Sequence, residues 1–192
     1  YKVKKIEVLY IHQNDLKILG NTKVLDTLII LKKKRLVKNF GASIYSEREL
    51  LYVLRNKIFT YIQLPINIAD SYYFMKYRNK LKGKIIIARS LVLQGTLLST
   101  KINFKFKKKI INFRKYLDTI SYENKISKEE LIYRYVFSLK NLNYALIGSI
   151  NKDNIKKILD FKRKGSLNYK LINKLNEISA IKKNWSNPKK WN

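Results

Sequence analysis

The sequence predicts an α/β fold built around a parallel sheet. Five short segments that are almost entirely apolar alternate along the chain with longer segments of helical periodicity. A strand that is apolar at nearly every position is buried on both faces, which is typical of a parallel sheet that is covered by helices or closed on itself. An open, doubly wound sheet is the alternative, although the sequence has no G-x-G-x-x-G turn to bind a nucleotide.

Composition indicates one globular domain over residues 1–192, since 46% of the residues are apolar and 12% are aromatic. The chain has no cysteine and one histidine, which excludes disulfides, thiolate metal sites and multi-histidine metal sites. We therefore expect no metal. No apolar run reaches the ~18 residues that a membrane span needs, so we expect no membrane partner and take the cytoplasm as the default compartment.

The charge is strongly basic, with 42 Lys and Arg against 13 Asp and Glu and a net charge of +29. Such a charge would normally point to nucleic acid or to an anionic membrane surface. The basic residues are mostly lysines scattered through every element, in a chain rich in Lys, Asn, Ile, Leu and Tyr, as AT-rich coding sequence produces. Compositional drift is therefore our preferred explanation, and a nucleic-acid partner is the less favoured alternative.

The first predicted strand covers residues 6–11, a run that is largely apolar and β-branched, and the polar cluster at 12–15 follows it. Residues 22–36 then predict a helix, because their apolar positions follow helical spacing and cations fill the last turn. The next segment, residues 38–49, organises the rest of the chain. It predicts a buried strand that ends at 43–45 and turns directly into a helix.

Helix 47–56 begins at a predicted capping box formed by Ser46 and Glu49. A third apolar run at 58–65 predicts a strand that ends where Pro65 removes a ladder donor. Further elements are a polar helix at 71–82 that stops at Gly83, a strand at 84–88, and a loop at 91–98 that would cover the mouth of a barrel. Residues 101–126 predict an irregular linker and one basic helix.

A second predicted capping box, Ser127 to Glu130, opens a helix whose apolar positions have i, i+3, i+4, i+7 spacing. These positions are Ile132, Tyr135, Val136 and Leu139. Residues 143–147 predict the fifth strand, and a small-residue loop then leads into a helix at 152–164, whose positive end is a natural seat for phosphate. The tail predicts a helix at 171–178 and a tryptophan-rich segment at 185–191.

Six segments at or after the predicted strand ends occur in a characteristic order and spacing. They are LYIH at 9–12, GASIYS at 41–46, IQLP at 62–65, ARSLVLQG at 88–95, IGS at 147–149 and NPKKW at 187–191. Together they resemble the aldo/keto reductase superfamily of NADP-dependent oxidoreductases. In detail the chain is similar to the C-terminal part of short bacterial members that are often associated with surface-sugar biosynthesis.

The resemblance implies a (β/α)8 TIM barrel that is partial in this chain. The first recognisable strand resembles the fourth strand of the family, so about the first three strand–helix units would be absent, in line with 192 residues against a typical ~250. The proton-donor Tyr of the family, with the Asp and Lys that tune it, belongs to those units. Without these three residues, the fragment is expected to be inactive. We expect the five strands to lie parallel and adjacent in chain order.

The resemblance also assigns roles at the nicotinamide end of the site. His12 matches the residue that orients the substrate carbonyl, and Ser43 and Gln63 match the pair that holds the nicotinamide carboxamide. Arg89 stands where many members place an aromatic residue under the nicotinamide ring, and a guanidinium can stack there as well. Judged from the residues alone, the alternatives are a core histidine, ordinary turn and strand-end polar groups, and a solvated arginine. Ile44 departs from the Asn that the family commonly has.

The other expected cofactor-binding residues lie in two loops. They are Ser90, Gln94 and Gly95 in the segment after the fourth strand, and Gly148, Ser149 and Asn154 in the segment that would grip the adenosine phosphate. The resemblance implies NADP, with NAD as the alternative. Many NADPH-preferring members carry a Lys and an Arg in this segment, where Gly148 and Asn154 stand, so the choice between the two cofactors is open. An ordinary helix start at Asn151 is the competing interpretation.

The function that follows from the resemblance is NAD(P)H-dependent reduction of a small-molecule carbonyl, an aldehyde or ketone that includes sugars. Two alternatives remain open at this stage. One is a basic nucleic-acid-binding module, and the other is a non-catalytic barrel that serves as a scaffold.

Overall fold

A five-stranded sheet runs through the residues that the structure describes. This computed structural model describes residues 4–12, 15–99, 105–188 and 191. The strands are β1 (Ile6–Ile11), β2 (Val37–Ser43), β3 (Phe59–Pro65), β4 (Ile85–Arg89) and β5 (Tyr144–Ala145). They run parallel in the order β1-β2-β3-β4-β5, which confirms the prediction of adjacent parallel strands in chain order.

Helices separate the strands along the described chain. They are α1 (Leu16–Leu19), α2 (Thr22–Lys33), α3 (Glu47–Arg55), α4 (Tyr72–Tyr77), α5 (Lys107–Glu123), α6 (Lys128–Phe137), α7 (Lys152–Arg163) and α8 (Tyr169–Ser179), followed by a 3-10 helix (Asn184–Ser186). No described helix has the length and apolar character needed to cross a membrane. Parts of three predicted segments, namely residues 13–14, 101–104 and 189–190, lie outside the described residues.

Three elements differ from the sequence predictions, one in its presence and two in their length. The short helix α1 lies in a stretch for which the sequence predicted no element, and Asp15 caps it by accepting from Lys17 N at 2.9 Å. Helix α4 ends at Tyr77 rather than at residue 82, and turns lead on to Gly83, whose φ of +80° suits glycine. The fifth strand has two residues instead of five.

Strand β5 is short although its backbone bonds to β4 extend beyond it. Asn143 N donates to Ile86 O at 3.0 Å and Leu146 N donates to Ala88 O at 2.8 Å. Because β5 is the last strand in the sheet order, a partner on one side alone defines its length. The predicted run at 143–147 therefore follows β4 over more residues than the regular strand includes.

Contacts between α-carbons divide the chain into two compact units. The first comprises Tyr1–Leu64, Tyr77–Ile87 and Asn141–Tyr144, and the second comprises Pro65–Lys76, Ala88–Lys140 and Ala145–Asn192. The first unit thus holds β1, β2, most of β3 and the start of β4. The second unit holds α5 to α8 and the loops that follow β3, β4 and β5.

In the first unit, alternation along β2 and β3 separates a core face from a second face. Phe40, Ala42, Ile62 and Leu64 have no exposed surface, and they share one face because side chains alternate along a strand. Helix α3 adds Leu50 and Val53 to this core. The predicted capping box is confirmed: Ser46 Oγ accepts from Glu49 N at 3.3 Å, and Glu49 Oε2 accepts from Ser46 N at 3.0 Å.

In the second unit, α6 and the turn that follows it bury the apolar stripe that the spacing predicted, namely Ile132, Tyr135 and Val136 in the helix and Leu139 just beyond its end. The second capping box is only half formed. Ser127 Oγ accepts from Glu130 N at 3.1 Å, but the Glu130 carboxylate binds Arg134 Nη1 at 2.7 Å and Lys164 Nζ at 2.6 Å. The two cations draw the carboxylate away from the helix start, so the sequence prediction of a complete box was wrong.

Candidate active site

Ser43 and Gln63 lie side by side near the carboxyl ends of neighbouring parallel strands. The register of β2 and β3 pairs them directly, and Ser43 Oγ donates a hydrogen bond to Gln63 Oε1 at 3.5 Å. Ser43 is buried, with 1% of its surface exposed, whereas Gln63 is half-buried. A contact of this length is weak, so both side chains keep capacity for another partner. A hydroxyl beside a carboxamide suits a ligand amide, which donates and accepts.

A pair of tyrosines occupies the same face one step earlier along the strands. The register sets Tyr10 and Tyr61 opposite Gly41 from either side, and directly opposed residues share a face. Their ring centroids lie 6.5 Å apart at an interplanar angle of 81°, an edge-to-face arrangement. A Cβ at Gly41 would lie 2.4 Å from Tyr10 Cε1. Glycine is therefore needed for the Tyr10 ring to lie against β2.

Burial and the neighbouring Tyr61 together raise the pKa of the Tyr10 phenol to about 12. The phenol is consequently neutral and a hydrogen-bond donor throughout the physiological pH range. The sequence analysis did not select either tyrosine. The signal was present in the strand period of two, since Tyr10 precedes His12 by two residues and Tyr61 precedes Gln63 by two.

His12 follows the last residue of β1 directly, and its side chain is exposed. The register pairs Ile11 with Ala42, so continued pairing would set His12 level with Ser43. The exposure shows that the competing interpretation, a buried core histidine, is wrong. A solvent-facing imidazole at a strand end is free to meet a ligand.

In the second unit, Arg89 ends β4 with a half-buried side chain, and its backbone oxygen accepts from Ile66 N at 3.2 Å. Ser90 follows at once in the left-handed region, with φ of 58°. The buried Asn67 holds this turn by donating from Nδ2 to Ser90 O at 3.2 Å. Backbone strain of this kind is concentrated at ligand sites and persists where the surroundings fix it.

Three more residues of the same loop have positive φ: Leu93 at 49°, Gln94 at 52° and Gly95 at 82°. Thr96 stabilises their turn, because its buried hydroxyl donates to Leu93 O at 2.7 Å. The loop after β4 is thus a tightly wound backbone segment. Gln94 is exposed at its surface.

The start of α7 contains the other predicted cofactor segment. Gly148 and Asn154 are exposed, and Ser149 Oγ accepts from Asn151 N at 3.1 Å. Asn151 Oδ1 accepts from the backbone N–H groups of Asp153 at 2.8 Å and Asn154 at 3.3 Å. These are the amides that a phosphate would use, so a phosphate at this helix start must displace the Asn151 side chain.

Metal-ligating side chains do not cluster in the described ranges. No group of three or more His, Asp or Glu residues there lies close enough to hold a metal ion.

Comparison with known proteins decides the fold of this chain. No protein-family model matches the sequence, and comparison with curated proteins finds no match. Among solved structures, the aldo-keto reductase AKR11C1 from Bacillus halodurans in its apo form matches with a TM-score of 0.75 over 96% of this chain, at 15% identity. This chain has the fold of aldo-keto reductases.

Two further aldo-keto reductases show the same fold. The glycerol dehydrogenase AKR11B4 from Gluconobacter oxydans matches with a TM-score of 0.71 over 93% of this chain, at 16% identity. A thermostable aldo-keto reductase, Tm1743, matches with a TM-score of 0.63 over 92% of this chain, also at 16% identity. The fold expected from the six short segments is therefore confirmed.

The chain spans only part of these aldo-keto reductases. It covers 66% of AKR11C1, 59% of AKR11B4 and 61% of Tm1743. The architecture is accordingly a partial (β/α)8 barrel of five strands in the described residues.

Proposed function

We propose that this protein is an NAD(P)H-dependent oxidoreductase that reduces the carbonyl group of an aldehyde or ketone, sugars included. The observation that carries the proposal is the Ser43–Gln63 pair, set at neighbouring strand ends of an aldo-keto reductase fold. Chemistry in such barrels gathers at the carboxyl ends of the strands. The cytoplasm remains the compartment that we propose.

Ser43 and Gln63 are proposed to hold the carboxamide of the nicotinamide. Their buried hydroxyl and half-buried amide offer the complementary donors and acceptors, and their weak mutual contact of 3.5 Å is easily exchanged for bonds to a ligand. Arg89 would lie against the nicotinamide ring, as a planar guanidinium can. When bound, the cofactor supplies a hydride for the carbonyl carbon.

His12 is proposed to orient the substrate carbonyl. Its exposed imidazole follows β1, next to the strand that ends in Ser43. A hydrogen bond from this imidazole to the carbonyl oxygen would fix the carbon that receives hydride and would polarise the bond. The proton donor of the family has no counterpart among the matching residues of this sequence, so we assign no residue here to that step.

The phosphates are proposed to bind at the two loops of the second unit. Ser90, Gln94 and Gly95 would hold the cofactor through the tightly wound loop after β4, whose turn Asn67 and Thr96 fix. Gly148, Ser149 and Asn154 would hold the adenosine phosphate at the start of α7. NADP is the proposed cofactor, with NAD as the alternative, because the surplus of 29 positive charges favours the more anionic of the two.

Titration of NADPH fluorescence tests the proposal on the chain as it exists. We expect NADPH to bind, Arg89→Ala to weaken binding, and His12→Ala to leave binding unchanged, because Arg89 is proposed to contact the nicotinamide and His12 the substrate carbonyl. The matched control is Arg78→Ala, an exposed arginine that follows α4. Unchanged binding in Arg89→Ala together with lost binding in His12→Ala would contradict the assignment.

A further inference from the structure

The hydroxyl group of Tyr10 has no role in the proposed function. It is buried, and among the described residues it has no hydrogen-bond partner. Buried polar groups in proteins are nearly always paired, and an unpaired one destabilises the fold. A group of this kind, at a strand position next to a candidate site, calls for a partner beyond those that the described residues supply.

The position of the Tyr10 ring is fixed from two sides. Against β2, the ring atoms Cε1 and Cζ approach to 2.4 Å and 2.9 Å from where a Gly41 Cβ would stand, so the ring cannot move closer to the strand. Against β3, Tyr61 meets it edge to face at 6.5 Å. The hydroxyl therefore lies on the face of the sheet that also carries Ser43 and Gln63.

We propose that the Tyr10 hydroxyl donates a hydrogen bond to a second oxygen atom of the substrate, so that the site selects hydroxy-carbonyl compounds. The inference rests on the proposed function, which holds a carbonyl substrate on this face. Tyr10 precedes His12 by two residues, a separation of about 7 Å along an extended strand. A substrate that meets both side chains would therefore carry its second oxygen close to the carbonyl group.

Tyr10 acts as a specificity-determining donor and not as the proton source of the reaction. Because burial, with a smaller contribution from Tyr61, raises its pKa to about 12, the phenol keeps its proton in the neutral complex. The neutral phenol can donate a hydrogen bond to the oxygen of a substrate hydroxyl group. In the deoxy compound a hydrogen atom replaces that hydroxyl, so the phenol has no acceptor. Discrimination against the deoxy compound then appears in substrate binding and leaves the hydride step unchanged.

The variant Tyr10→Phe removes the hydroxyl and keeps the ring on Gly41. With glyceraldehyde as the probe, we expect its dissociation constant to rise about two- to tenfold, the effect of one neutral hydrogen bond. The dissociation constants for propanal and for NADPH should stay unchanged. Tyr122→Phe, at an exposed position of α5, is the matched control. An equal glyceraldehyde-to-propanal ratio of dissociation constants in Tyr10→Phe and wild type would overturn the proposal.

A binding measurement separates this inference from the proposed function. Glycerol and 1-propanol are titrated into ring-labelled chain and followed by the NMR signals of the tyrosines. We expect glycerol to bind about two- to tenfold more weakly to Tyr10→Phe, with no difference for 1-propanol. If the wild type binds glycerol in this way but does not bind NADPH, the proposed function fails and the donor role of Tyr10 stands. Equal glycerol binding by both proteins, or none by the wild type, overturns the donor role.

Discussion

The Ser186 hydroxyl donates a hydrogen bond of 2.5 Å to Oδ2 of Asp70, a residue 116 positions earlier in the chain. Tyr72 N donates to the other carboxylate oxygen at 3.1 Å. Burial raises the pKa of Asp70 above its usual range, although these two hydrogen bonds and the charges of Lys183 and Lys182 oppose the rise. Compared with the unfolded chain, the folded chain thus shifts Asp70 toward its protonated form.

The pH dependence of stability follows from the direction of the Asp70 pKa shift. Asp70 stabilises the fold below its unfolded pKa, and this contribution is lost as pH rises through its higher folded pKa. We expect Asp70→Asn to be more stable than the wild type near pH 8, with the difference shrinking as the pH falls. Thermal unfolding from pH 4 to pH 8 checks this prediction. Asp26→Asn, at an exposed position of α2, is the control. A wild type more stable than Asp70→Asn at pH 8 would refute it.

The pKa of Glu130 is shifted in the opposite direction to that of Asp70. Burial alone would raise its pKa, but hydrogen bonds from Lys164 and Arg134 lower it. Its contribution is therefore present above the unfolded pKa and is lost as pH falls through the folded one. Since the side chain is only 7% exposed, we expect Glu130→Gln to lower the free energy of unfolding at pH 7 by about 2 kcal/mol.

Glu129→Gln is the matched control for that measurement. Glu129 pairs with Lys157, whose side chain is 53% exposed, and such surface pairs contribute about 0–1 kcal/mol. Urea unfolding of both variants measures the difference. Equal losses at the two neighbouring glutamates would show that the pairs to Arg134 and Lys164 do not stabilise the fold as described.

Gly41→Ala should destabilise the protein, because its Cβ would lie 2.4 Å from Tyr10 Cε1. Overpacking of this kind costs about 1–3 kcal/mol. The double variant Gly41→Ala/Tyr10→Leu should recover part of the loss, since a shorter side chain clears the position. Gly148→Ala is the control, as nothing lies within 4 Å of its Cβ. Urea unfolding measures the free energy of unfolding of each variant. If the changes caused by the two substitutions simply add in the double variant, the described contact is contradicted.

The position of β1 at the edge of the sheet leads us to predict self-association of the chain. β1 is the first strand in the sheet order and pairs with β2, and Ile6 on it is 41% exposed. Exposed strand edges recruit other strands, so Ile6→Lys should lower the fraction of assembled chain in sedimentation. Tyr122→Lys removes a still more exposed side chain, 87% exposed, from helix α5 and should have no such effect. A wild type that sediments as a clean monomer would count against an open edge.

The elements that the sequence predicted well are those with local causes. The box at Ser46 and Glu49 is specified within four residues, and the spacing of Ile132 to Leu139 reports burial directly. Glu130 shows where local reasoning fails. Its sequence context is that of a capping box, but Lys164, 34 residues away, takes the carboxylate.

The candidate site divides in the same way. Ser43 and Gln63 were selected from the sequence, and the register sets them side by side. Tyr10 was not selected, because its closeness to Gly41 and Tyr61 depends on the alignment of three strands that lie far apart in the sequence. The self-capped start of α7 was one of two open interpretations, and the bonds of Asn151 are those of an ordinary helix start.

The most direct test of the central claim compares NADPH with ADP on wild type and Ser43→Ala. A chain with net charge +29 attracts any phosphate, and ADP lacks the nicotinamide, so ADP isolates that background. Ser43 is proposed to bind the carboxamide, and we expect Ser43→Ala to weaken NADPH binding about two- to tenfold. ADP affinity should stay unchanged, as should both affinities in the control Thr27→Ala on exposed α2. Equal weakening of NADPH and ADP, or no weakening of either, would contradict a nicotinamide site at Ser43 and Gln63.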